Sequence, residues 1–269
     1  MKKLILLVFI FILSVSASKA QFFKNFNVFS VDDDIKLGKQ LRDEIANDPV
    51  TYPVLDEKKY PEAYAILRGM TQKILDSGDL QYRDKFEWEV RIIHQDSVLN
   101  AFVTPGGYIY VYTGLIHYLD SEDHLAGVMG HEIAHADRRH STRNMTKQYG
   151  LSVVLGVLLG RNPGKLSEIL GGLTGNLAGL KFNRDLEAEA DAYSVQYLSK
   201  TDYQCNGAAG FFAKLLEEGN SQSPPQFLST HPSSESRVED INAQAREIGC
   251  STESSFSNYQ KLKDSLPRR

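Results

Sequence analysis

His131-Glu132-Ile133-Ala134-His135 combines residue types and a spacing suited to metal-assisted hydrolysis. At about 100° per residue, imidazoles four residues apart project from the same face of an α-helix, so two nitrogens can reach one ion. Glu132 lies one step round, off the ligand face but close enough to take a proton from a water held by that ion. Zinc lowers the pKa of such a water to about 7 and also polarises a scissile carbonyl. A chance occurrence on a solvated helix is disfavoured. Leu125, Ala126, Val128, Met129, Ile133 and Ala134 make the segment a largely buried one, where two unpaired imidazoles and a carboxylate would be costly.

A catalytic zinc site needs a third protein ligand and an open fourth position. A three-histidine site would need Gly at position 138 and His at 141, but the chain has Arg138 and Ser141. His140 falls about 140° round from His135 if the helix continues, which assigns it to structure or to bonding behind the ligands. The next concentration of donors is Arg184-Asp185-Leu186-Glu187-Ala188-Glu189-Ala190-Asp191-Ala192. Glu187 with Asp191 and Asp185 with Glu189 both share a face at i, i+4, with Leu186, Ala190, Tyr193 and Tyr197 between the pairs. Helical geometry alone does not choose between them, and an ordinary solvated acidic face fits at least one.

His131 to His135 followed by Glu187 to Asp191 resembles the H-E-x-x-H and E-x-x-A-D pair of gluzincin metallopeptidase family forty-eight, which includes the CAAX prenyl proteases, HtpX and BepA. The resemblance runs from roughly Asn100 to Arg237 and takes in Asn100-Ala101-Phe102, Pro105-Gly106-Gly107, Arg139-His140 and Thr230-His231-Pro232. It implies Glu187 as third ligand beside His131 and His135, with one zinc per subunit. It implies Asp191 as an acidic partner that holds a ligand histidine or assists proton transfer. His231 and Arg237 are implied to sit beside the metal, His231 either donating to the oxyanion or occupying the fourth position. The likeness is greatest to exported soluble bacterial members, and nothing in the chain supports the many membrane spans of the prenyl proteases.

Positioning these residues requires an α+β domain, mainly a helical bundle with a small antiparallel sheet. Helical spacing is read from Asp32 to about Asp48 and from Pro61 to about Asp76, and Asp120 or Ser121 caps the His131 helix, which runs to about Arg139. Further helices are expected at about 183–198, 205–218 and 233–248. Strands are expected at Phe86–Ile92, around Ala101-Phe102-Val103, and at Tyr108–Tyr112, turned by Gly106-Gly107. Ala101, Phe102 and Val103 are read as an exposed edge to which an extended substrate adds, with Arg237 a further substrate contact. Leu151 to Leu180, rich in Leu and Gly, is read as two short helices or a flap over the cleft.

Residues 1–20 have the charged, apolar and small-residue regions of a signal peptide, with cleavage expected near Ala20. A single metallopeptidase domain then spans 21–250, followed by a loosely held polar tail, 251–269. A formal net charge of −4 leaves no basic footprint for nucleic acid. Cys205 and Cys250, the only cysteines, are expected to pair in an exported chain. The function these features imply is a periplasmic zinc endopeptidase acting on unfolded or misassembled proteins, with peripheral contact to membrane-protein assembly machinery. The competing expectation is a chaperone-like binding protein whose metallopeptidase site is mostly closed.

Overall fold

The structure, a computed structural model, describes residues 26–161, 164, 168, 181–218, 226–232, 236–253 and 259–267. The expected signal peptide and most of the expected flap lie outside the described residues. Helix α1 (Val31–Ala46) opens with a reciprocal cap, in which Ser30 and Asp33 each accept from the other's backbone N–H. Pro61 pre-sets the first turn of α2 (Pro61–Leu75).

Strands β1 (Glu89–Ile93), β2 (Ala101–Thr104) and β3 (Tyr108–Tyr112) form one sheet in the order β1-β3-β2. The sheet is mixed, which corrects the antiparallel expectation: β2 pairs antiparallel with β3, and β1 pairs parallel. The tight turn reverses β2 into β3, while residues 94–100 have already reversed β1 into β2. Strand β3 therefore recovers the direction of β1, which lies along its other edge. Gly106 and Gly107 make the turn with φ of +79° and +90°, a region that side chains bearing a Cβ rarely adopt. Strand β3 is buried on both faces. Ile109 and Val111 join the main core with Val90, Ile92, Ala101 and Val103, while Tyr108, Tyr110 and Tyr112 join a second core with Phe102 and α1.

After α3 (Thr113–Tyr118) comes α4 (Glu122–Asp137), with Ser121 as its cap. It is buried almost throughout, because α6 (Arg184–Leu198) and α7 (Gly207–Glu217) pack on it and β2 lies alongside. Small residues permit this approach. A Cβ on Gly127 would stand 2.0 Å from Ala208 N, and one on Gly207 2.1 Å from Asp123 O. Helix α4 stops at Asp137, short of the expected Arg139, because Arg139 adopts a left-handed φ of 57°. Helix α5 (His140–Leu158) starts there and is broken at Gly150.

The short α8 (Gln226–Thr230) precedes His231, and α9 (Arg237–Ile248) follows. The Cys205–Cys250 disulfide is present and joins the approach to α7 with the end of α9. The tail departs from expectation: α10 (Tyr259–Asp264) is docked. Tyr259 and Leu262, on one helical face, and Leu266 just beyond the helix are buried, while Lys263 Nζ donates to Leu119 O at 2.7 Å.

Candidate metal centre

The two histidines of α4 and Glu187 of α6 meet where those helices cross. Helix α6 is oriented by Asn183, whose side chain accepts from Leu186 N, and by Ser194 Oγ, which donates to Gly127 O at 3.0 Å. A side chain on Gly130 would meet that serine at 2.7 Å, so the helices close up at the level of the histidines. One ligand atom from each of His131, His135, Glu187 and His231 falls within 4.8 Å of all the others, and all four side chains are buried. His131 Nε2 lies 2.9 Å from His135 Nε2 and 3.4 Å from His231 Nδ1. Glu187 Oε1 is 3.0 Å from His231 Nδ1 and 3.5 Å from His135 Nε2.

This arrangement fits a cation. His131 Nδ1 is 2.8 Å from Asp191 Oδ1, so the carboxylate takes that ring's N–H and Nε2 keeps a lone pair. That lone pair faces His135 Nε2 at 2.9 Å, a place where either a shared proton or a bound cation satisfies both nitrogens. The electrostatics point the same way. Burial works against a charge on His131, but Asp191 and Glu187 outweigh it and push the ring up to about 9. His135, driven by burial and by the neighbouring histidines, falls well below the usual range. Burial also opposes ionisation of Glu187, yet His231 and His131 hold it below the usual carboxylate range. The ligand atoms of these groups lie close enough together to hold one metal ion.

Glu132 is buried and lies on the His231 side of the cluster, with Oε1 3.4 Å from His231 Nε2. Burial raises its pKa despite the pull of His231 and His131. Asp191, for which burial is outweighed by His131 and Arg237, is held low. Arg237 sits differently from the expected substrate contact. It is buried at the start of α9, with Nε and Nη2 donating to Asp191 at 2.8 and 2.6 Å and Nη1 3.1 Å from Glu187 Oε2. Its donors face the carboxylates, and the guanidinium lies 3.9 Å from the Phe212 ring centre.

The side chains of Ala101, Phe102 and Val103 are buried, while β2 lies at the edge of the sheet. Phe102 stacks on Tyr110 at 4.7 Å in the second core. Only the main-chain edge of β2 is available. Tyr112 N donates to Asn100 O, so by alternation Phe102 and Thr104 bond to β3 while the N–H and C=O of Ala101 and Val103 point outward.

Several residues at the centre were not identified from the sequence. Phe182 stacks on His135 at 4.0 Å and Phe227 on His231 at 4.3 Å, walling the imidazoles. Phe227 lies four residues before His231, a helical spacing that was an available signal. Glu189, on the pair that the family resemblance left outside the ligand set, receives Arg138 and Arg143. Asp185 does remain exposed.

A helix-borne histidine pair completed by a glutamate from a second helix defines a gluzincin-type metal-dependent hydrolase centre. The chain belongs to peptidase family M48, whose family model matches residues 61–245. It is similar to the beta-barrel assembly-enhancing protease of Escherichia coli K12, at 34% identity over 58% of this chain and 34% of that protein. It is also similar to the mitochondrial metalloendopeptidase OMA1 of Schizosaccharomyces pombe, at 32% identity over 68% of this chain and 52% of that protein. The chain thus spans about a third of the bacterial relative's length and about half of the fungal one's. Among the described residues, no helix is long and apolar enough to cross a membrane.

Proposed function

We propose that this chain is a zinc-dependent endopeptidase that holds one zinc per subunit on His131, His135 and Glu187. The observation that carries the proposal is the convergence of those side chains with His231 in a buried pocket, beside a carboxylate that belongs to none of the ligands. Two or three imidazoles with one carboxylate suit zinc's tetrahedral nitrogen and oxygen preference. Bound there, zinc supplies Lewis acidity to a carbonyl and makes hydroxide available near neutral pH.

The chain's own residues divide the remaining work. Glu132, its proton affinity raised by burial, accepts the proton of the attacking water and returns it to the leaving amine. Asp191 fixes the ring of His131, and Arg237 holds Asp191 and Glu187 in register. The outward main chain of Ala101 and Val103 pairs with an extended substrate, so recognition depends little on side chains. That favours unfolded or misassembled proteins as substrates. Together with the expected signal peptide and the likeness to a beta-barrel assembly-enhancing protease, it supports a periplasmic role near membrane-protein assembly.

His231 lies between Glu132 and the ligand cluster, with Nδ1 on the ligand side and Nε2 toward Glu132. This supports its reading as a further donor that would occupy the metal at rest. It also favours a second reading, a chaperone-like binding protein with a mostly closed site. Casein degradation decides between them: cleavage that stops with chelator and returns with zinc is expected, whereas binding without either response supports the chaperone reading.

A further inference from the structure

We propose that His140 is a positioning residue for the metal centre, acting with Glu189 to fix which nitrogen of His135 faces the ion. The inference rests on the metal reading above and adds a residue that lies outside the ligand set. Its basis is a turn. Arg139 takes a left-handed conformation with φ of 57°, so α4 ends and α5 begins with His140 swung back onto the preceding helix. On a continued helix His140 would point elsewhere. Instead its Nδ1 lies 2.8 Å from His135 Nδ1, and its side chain is fully buried. The turn is tied down from outside by Arg139 itself, whose guanidinium pairs with Asp34 and donates to Phe29 O at 2.6 Å and Ser30 O at 2.9 Å.

Proton accounting gives the direction of the contact. Two imidazole Nδ1 atoms at 2.8 Å share one proton, so one ring donates and the other accepts. The other nitrogen of His140, Nε2, faces Glu189 Oε2 at 3.6 Å. That carboxylate pairs with two guanidinium groups, accepting from Arg138 Nε at 3.1 Å and from Arg143 Nη2 at 3.2 Å. Facing an anion, Nε2 of His140 carries the proton and its Nδ1 is left as acceptor. His135 therefore donates from Nδ1 and presents the Nε2 lone pair to the shared point with His131 and Glu187. His131 is oriented by a carboxylate and His135 by a second histidine backed by a carboxylate, so each ligand ring is held from behind.

The test measures zinc affinity of the folded protein by competition with a chromophoric chelator, with circular dichroism checking the fold. His140→Leu keeps bulk and removes the acceptor; His140→Asn places an amide oxygen near the Nδ1 position. His140→Leu is expected to weaken zinc binding about 10- to 100-fold, and His140→Asn to recover most of it. Long-range proton–nitrogen NMR of the zinc-loaded wild type should show His135 protonated at Nδ1. Wild-type affinity in His140→Leu, or His135 protonated at Nε2, overturns the proposal. Should His140→Leu not fold, Glu189→Gln replaces it: weaker zinc binding by at least severalfold is expected, and unchanged affinity overturns the idea. Failure of the metal reading itself is separate, since the wild type would then bind no zinc at the same site and His131→Ala would change nothing.

Discussion

Glu132 illustrates how a residue's role follows from what surrounds it. Buried beside the cluster yet outside the ligand set, it can be changed without removing a donor to the metal. Glu132→Gln is expected to retain zinc and lose about 100-fold or more in turnover, the usual scale for a positioned base; metal content and steady-state proteolysis measured on one preparation check it. His231 has the opposite expectation. If it fills the fourth position, His231→Ala removes an obstacle, and proteolysis of unfolded casein should rise with zinc still bound. A fall of about 100-fold would instead assign it to the oxyanion.

Helix α4 works as a central rod because glycine lets its neighbours approach. A methyl group at Gly127 would lie 2.0 Å from backbone nitrogen on α7, which no side-chain rotation relieves. Gly127→Ala should therefore destabilise the protein by roughly 1–3 kcal/mol. Gly69 in α2 is the internal control: a Cβ there meets nothing within 4 Å, so Gly69→Ala should be stabilising by about 0.5–1 kcal/mol. Urea melts of the two variants compare them directly. Strand β2 offers a different test. Because the Val103 N–H points off the edge, Val103→Pro removes an outward donor without breaking a bond to β3. Peptide affinity should fall with zinc content unchanged, as read by KM and metal analysis.

Across the whole molecule, the disulfide braces the elements that carry the centre. Cys205 and Cys250 are 45 residues apart and clamp α9, which carries Arg237, to the start of α7, which packs on α4. Closing a loop of that length stabilises by about 4 kcal/mol in the chain-entropy treatment. Replacing both cysteines by serine should lower the urea midpoint accordingly, with zinc stoichiometry retained at low denaturant.

Local pattern in the sequence was enough for α1, α2, α4, α6, α7 and α9, for the turn at Gly106-Gly107 and for His131, Glu132 and His135, because periodicity, capping and spacing operate within a few residues. It did not choose between the two acidic pairs on α6; Glu187 came from family resemblance, and only the crossing with α4 puts that pair on the inside. The parallel pairing of β1 was likewise out of reach, since strand direction in a sheet depends on where a distant connection lays the chain. The same holds for the burial of Arg237 against carboxylates, the closure of β2 side chains by the second core, and the docking of α10. His140 shows the division most clearly. A helical projection sent it away from His135, but one left-handed residue, Arg139, held by contacts more than a hundred positions away in the chain, brought the two rings to 2.8 Å. Backbone conformation at such a turn is set by tertiary contacts, and those exist only once the chain has folded.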